Sequence, residues 1–157
     1  MFKGELLSIH IAPASSCPML TVTGVRALAG SGLEGDRYSL QLGLFSELKL
    51  HNDQVTLIES EALAALERDY QITLRPEECR RNLVTRGVPL NHLVGRRFRV
   101  GGVWMEGVEL SEPCGHLENL CGQPVRKGLQ HRGGLRARIL NDGLLEAGAS
   151  IELGDGP

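Results

Sequence analysis

Aromatic residues are scarce: Phe, Tyr and Trp together make up 4% of the 157 residues. A nucleic-acid surface built on base stacking needs an array of such rings, so that class is set aside. Long apolar runs are lacking as well, and nothing approaches the ~20 residues of a membrane span. The start, Met1-Phe2-Lys3-Gly4-Glu5, has no apolar stretch of signal-peptide length. These absences predict a cytoplasmic chain with neither nucleic acid nor a membrane as partner. Cys17, Cys79, Cys114 and Cys121 form no C-x-x-C pair and no regular framework, so reduced thiols are expected. The glycine-rich stretch Ala29 to Arg37, AGSGLEGDR, lacks the Gly-x4-Gly-Lys pattern of a phosphate loop, which excludes nucleotide hydrolysis of that kind.

What the chain does have is glycine, 20 residues, and arginine, 14 of the 17 basic residues. The length and balance suit one domain over 1–157, large enough to need no disulfide or structural metal for stability. The formal charge of −2 hides an uneven distribution: residues 75–138 carry twelve Lys and Arg against six Asp and Glu, net +6, and the remainder is net −8. Arginine binds carboxylate and phosphate through a planar fork, so an anionic ligand is expected in the basic stretch.

The patterning predicts a mainly β fold. Gly4 to Ile11 alternates, which places Leu7, Ile9 and Ile11 on one face and Ser8 and His10 on the other. Met19 to Val25, Gln54 to Ile58, Arg80 to Thr85 and Ser150 to Leu153 read as further strands. Phe98 to Leu110 reads as a hairpin turning at Gly101-Gly102, and Ala137 to Glu146 as a second one around Asn141-Asp142-Gly143. Leu63, Leu66 and Tyr70, with Ala62 and Ala65, predict one main helix over Ser60 to Tyr70. Short helical turns are expected within Gly87 to Gly95 and over His116 to Cys121, the latter closed by Gly122. Many short strands with one good helix imply a closed or strongly curved β-barrel.

Cys114 stands out because Pro113 precedes it and Gly115 follows it just after a strand, which suits presentation of a thiol at a rim. A thiolate is a soft metal ligand and a nucleophile for sulfur transfer. The opposing reading is a buried structural cysteine in a non-catalytic binding module. A zinc site from Cys114, His116 and Cys121 matches no common spacing, and Leu117 stands where a zinc deaminase needs its second cysteine. A thiol hydrolase would pair Cys114 with His51, His92 or His131, none of which the sequence orients. Arg80-Arg81-Asn82 and His131-Arg132-Gly133-Gly134 are the other notable blocks, with Asp36-Arg37 a further charge pair. Together with Cys114 they describe a soft ligand beside an anion clamp.

In their order and spacing these blocks resemble the MOSC domain family, named for the C-terminal domain of molybdenum cofactor sulfurases. The matching elements are Gly32 to Arg37, Gln54 to Ile58, Arg80 to Val84, Leu90 to Gly95, Phe98 to Gly101, Pro113-Cys114, His131 to Leu135 and Gly143 to Gly148 with Ile151, from about residue 4 to 153. The resemblance implies a barrel like the β-barrel domain of pyruvate kinase and a molybdenum cofactor, molybdopterin, as ligand. Cys114 is then the metal ligand or sulfur carrier. Arg81 and Asn82, with Arg80, match a cofactor-proximal block, while His131, Arg132 and Arg37 are further candidate contacts. Implied activities are reduction of N-hydroxylated compounds, fed by a separate electron-transfer protein, or carriage of the cofactor or of sulfur received from a donor. Tyr38 stands where many relatives have histidine. The aminotransferase-like part of the sulfurases is absent, so pyridoxal phosphate is not expected in this chain.

Overall fold

A computed structural model describes residues 1–14, 16–40 and 54–157. Seven strands close into a barrel among them: β1 (Gly4–Ile11), β5 (Val55–Glu59), β6 (Leu83–Arg86), β7 (Arg97–Val100), β8 (Val103–Leu110), β9 (Leu135–Ile139) and β11 (Ser150–Leu153). The order around the barrel is β11-β7-β8-β9-β5-β6-β1, with β1 pairing back onto β11. Every pairing is antiparallel except β5 with β6. Parallel neighbours need a long crossover, and the predicted helix supplies it as α1 (Ser60–Tyr70) between those two strands. Short strand β2 (Leu20–Val22) extends the sheet beyond β1, and β3 (Gly24–Leu28), β4 (Gly32–Leu33) and β10 (Gly143–Glu146) form a second, small sheet.

Two apolar clusters hold the elements. Leu6, Ile9, Leu57, Leu83, Phe98, Met105 and Leu135, all fully buried, are among those that fill the barrel. Outside the wall, Ile58 and Val84 meet Ala62, Leu63 and Leu66 of α1 and Leu117, Val125 and Leu129 from the segment after β8. Strand β5 is therefore buried on both faces over Val55 to Ile58, with the polar Thr56 satisfied by Asn82. Gly128 allows the close approach there, because a Cβ on it would stand 2.3 Å from Leu66 Cδ1. A second helix, α2 (Gly115–Cys121), ends at the left-handed Gly122 as the sequence predicts.

Three expectations change. The alternation of β1 is broken by a bulge between Leu6 and Ser8, so Leu6 rather than Leu7 joins Ile9 in the barrel. An extra residue shifts the pleat by one and re-aims every side chain beyond it. His10 keeps the face it shares with Ser8, opposite Ile9, and is buried there between Ser8 Oγ (2.8 Å) and Thr21 Oγ1 of β2 (2.9 Å). Residues 137–146 are not a hairpin: β9 pairs with β8 and β5, whereas β10 pairs with β3. Asn141 accepts from Trp104 N (2.7 Å) and Asp142 from Ala29 N (2.8 Å), which turns the chain away from β9. Tyr70, expected on the apolar stripe of α1, is 37% exposed.

Candidate functional site

The end of β1, the segment entering β6, the segment leaving β8 and the segment entering β9 meet at one rim. Arg81 organises it. The side chain is buried, its Nε donates to the Gly133 carbonyl (2.8 Å) and its Nη2 to the Ser111 carbonyl (3.0 Å). It thereby ties the segment before β9 to the segment after β8, which Ser111 N also joins to Gly134 O (2.8 Å). Burial pulls the Arg81 pKa down, and Arg136 adds to this, while Cys79, Tyr38 and Cys114 act the other way. A guanidinium remains charged through such a shift.

Gly133 and Gly134 serve this packing. A Cβ on Gly133 would lie 2.5 Å from the Ser111 carbonyl oxygen, and one on Gly134 (φ +122) 2.2 Å from that of Leu57. Where a side chain would stand on either glycine, the Ser111 and Leu57 carbonyls, Pro113 and Arg81 already fill the space.

Asn82 is fully buried and its amide is used on both sides. Oδ1 accepts from Thr56 N (3.0 Å) and Thr56 Oγ1 (3.2 Å), and Nδ2 donates to the His10 carbonyl (3.0 Å). Asn82 therefore joins β5 and β1 to the start of β6 and holds Arg81 in place. Arg80 has left-handed backbone (φ 64), is half-buried and donates Nη1 to the Cys17 carbonyl. Its pKa is lowered by burial first and by Arg37 second, with Asp36, Cys17 and Tyr38 opposing.

The Asp36-Arg37-Tyr38 segment docks against the end of β1. Arg37 N donates to the Ala12 carbonyl (2.7 Å) and Asp36 Oδ1 accepts from Ala12 N (2.9 Å). The buried Arg37 donates to Asp36 Oδ1 (3.2 Å) and Tyr38 Oη (3.4 Å), and it lies 4.5 Å over the Tyr38 ring. Asp36 Oδ2 is buried with no partner. Three guanidinium groups and one carboxylate thus gather here.

Cys114 is exposed and caps the start of α2, its carbonyl accepting from Glu118 N (3.2 Å). It lies three residues beyond Ser111, whose carbonyl accepts from Arg81 (3.0 Å). The buried-cysteine reading loses its premise, because the fully buried thiol is that of Cys79, raised in pKa by burial. A shallow groove of about 370 Å³ lined by Glu112, Pro113, Arg126, Lys127 and Gln130 adjoins the Cys114 segment, though Cys114 itself does not line it.

The remaining candidates are not all gathered. His131, left-handed (φ 63) and exposed, faces Glu112, with Nδ1 2.9 Å from Oε2 and its backbone N donating to Oε1 (2.8 Å). Arg132 turns to the other side, donating to the Gly128 carbonyl (2.7 Å) and standing 3.5 Å from Asp69 of α1. His92 lies on the turn Leu90–Leu93, whose Leu90 bonds Glu59, away from the Cys114 segment. His51 falls outside the described residues. Among the described residues no three His, Cys, Asp or Glu side chains group to hold a metal, which disposes of zinc at Cys114, His116 and Cys121. Cys17 and Tyr38 are the rim residues that sequence reasoning did not select. No motif surrounds Cys17, and Tyr38 was notable there only as a departure from histidine.

Comparison with known proteins completes the description. The MOSC domain model matches residues 48–152. No curated protein matches the chain. Among solved structures, the YuaD protein of Bacillus subtilis superposes with a TM-score of 0.82 at 17% identity, covering 100% of both chains. YiiM of Geobacillus stearothermophilus gives 0.74 at 16% identity over 97% of this chain and 75% of its own. YiiM of Escherichia coli gives 0.65 at 18% identity, over 100% and 71%. At these identities the likeness is one of fold. No helix among the described residues is long and apolar enough to cross a membrane.

Proposed function

Because the chain belongs to the MOSC domain family, we propose that it binds the molybdenum cofactor through Cys114 and carries that cofactor or its sulfur. The supporting observation is the exposed thiol of Cys114, three residues beyond Ser111, whose carbonyl accepts from the buried Arg81 guanidinium (3.0 Å). The donor set suits the group: thiolate is a ligand type that soft metals favour, and arginine forks match a phosphate. Asp36 Oδ2, a buried acceptor that the protein leaves unsatisfied beside Arg37, also fits a site completed from outside. When bound, the cofactor supplies a redox-active metal.

In this reading the chain's own residues bind and orient. Cys114 holds metal or sulfur, while Arg81, Arg80 and Arg37 attract the anionic part of the ligand. Asn82 works indirectly, by fixing Arg81, and His131 and Arg132 lie at the margin. An exposed thiol favours hand-over to a partner. The gathered arginines, which suit a cofactor that stays bound, favour a second reading: a reductase of N-hydroxylated compounds supplied with electrons by a separate protein. The domain is proposed to span 1–157 and to work in the cytoplasm without pyridoxal phosphate.

The test is production in cells that make molybdenum cofactor, followed by metal analysis of wild type and Cys114→Ser. Molybdenum in the wild type and its loss in the variant are expected. Equal molybdenum in both, or none in either, refutes the proposal. With molybdenum bound, turnover of N-hydroxylated adenine with an artificial electron donor identifies the reductase, and its absence leaves the carrier.

A further inference from the structure

The groove of about 370 Å³ between Glu112, Pro113, Arg126, Lys127 and Gln130 reaches the exposed cysteine by direct chain adjacency. Pro113 is part of its wall and Cys114 is the next residue, which sets their Cα atoms ~3.8 Å apart. The opposite wall is a turn held firmly from beneath. Leu129 N donates to the Val125 carbonyl (2.9 Å), Val125 and Leu129 are fully buried, and Gly128 faces Leu66 and Tyr70 of α1. Lys127 and Gln130 therefore stand exposed on the outer side of a preformed turn. The carboxylates nearby are already engaged. Glu112 receives the His131 backbone N on Oε1 (2.8 Å) and Nδ1 on Oε2 (2.9 Å), while Glu118 receives Arg126 Nε on Oε1 (2.8 Å) and its backbone N on Oε2 (3.1 Å). Among the described residues neither the Lys127 ammonium nor the Gln130 side-chain amide has a partner. A cation and an amide donor without partners, beside carboxylates that have theirs, suit a carboxylate from outside. The volume lies near the lower end of small-molecule sites, ~300–1,000 Å³, and so fits a compound rather than a protein partner, whose patch would cover roughly 800 Å².

We propose that this groove binds the carboxylate of a low-molecular-weight thiol in its persulfide form, and that this compound is the sulfur donor to Cys114. The inference rests on the carrier reading of Cys114. Lys127 and Gln130 hold the carboxylate while the persulfide end of R–S–SH extends past Pro113. The Cys114 thiolate attacks the outer sulfur, the donor's S–S bond breaks, Cys114–S–SH forms, and R–S⁻ leaves and takes a proton from water. One sulfur atom moves and no outside oxidant or reductant is consumed.

Glutathione persulfide and its diethyl ester, which has no carboxylate, are the donors, and peptide mass mapping follows the sulfur on Cys114 in wild type, Lys127→Gln and Lys127→Glu. Loading of the wild type by the acid should saturate, at a lower concentration than with the ester, and S-methylglutathione should compete with the acid. Lys127→Gln should raise the half-saturating concentration of the acid on the order of threefold, because one exposed charge contributes modestly. Lys127→Glu should raise it on the order of tenfold, because a like charge repels the carboxylate, and should abolish the preference for acid over ester. A half-saturating concentration that is equal in wild type and Lys127→Glu, or loading by the acid that never saturates, overturns the groove alone. A wild-type Cys114 that gains sulfur from neither donor overturns the carrier reading, and the proposal with it.

Discussion

Replacing Asn82 by leucine tests whether the residue holds the rim together or touches the ligand itself. Leucine has nearly the same shape and keeps the site filled, so no cavity cost is added. It cannot accept from Thr56 N or donate to the His10 carbonyl, both of which Asn82 satisfies at 3.0 Å in a fully buried position. Thr56 Oγ1 keeps a partner, because the backbone N of residue 82 still donates to it at 3.0 Å. Two main-chain groups are thus stranded, each at ~1–3 kcal/mol, less the small gain from removing a buried amide. A loss of about 2–5 kcal/mol is expected, a large part of the ~5–15 kcal/mol of an ordinary domain. For a chain of this size that lowers Tm by roughly 5–20 °C. Urea unfolding followed by circular dichroism gives the free energy, and calorimetry gives Tm. A variant within about 1 kcal/mol of wild type would refute the assignment, since neither stranded group could then have depended on Asn82. If such a stable variant also failed to take up molybdenum, Asn82 would be a direct contact instead.

Burial lowers the pKa of His10 from its usual 6.5, with Glu77 acting weakly the other way. The unfolded chain therefore takes up a proton before the native one does, and stability falls as pH drops below about 6.5. His10→Gln should lack this part of the acid sensitivity, and unfolding curves between pH 7 and 5 that are parallel for the two proteins would contradict it. Gly134→Ala should be severely destabilised, because its Cβ meets the Leu57 carbonyl oxygen at 2.2 Å in left-handed backbone. Gly115→Ala, where nothing stands within 4 Å at the start of α2, should melt at or slightly above the wild-type temperature. Equal melting of these two alanine variants would refute the packing of the β8–β9 segments.

The elements that could be read from the sequence carry their signal locally. α1 has its apolar residues at helical spacing, and the β7–β8 pair has alternation across Gly101-Gly102, so both occur where expected. The bulge in β1 was not legible, because an extra residue in one strand is defined only against the partner strand β6. The same holds for β10, whose hairpin-like turn residues are bonded to Trp104 and Ala29, far away along the chain. At the site, Pro113-Cys114-Gly115 marked an accessible thiol by local chemistry, and Cys114 is exposed.

Amino-acid order alone determined a β-rich chain with one main helix and a basic segment over residues 75–138, because composition and periodicity act over a few residues. Tertiary structure decided how the arginines divide. Arg81 is turned inward onto two carbonyls, Arg80 outward by left-handed backbone, and Arg132 away to α1. It also brought the Cys17 carbonyl to Arg80, whose own carbonyl accepts from Arg37 (3.5 Å). The physical reason is barrel closure: pairing β1 with β6, and β8 with β9, sets side by side loops that no local pattern relates.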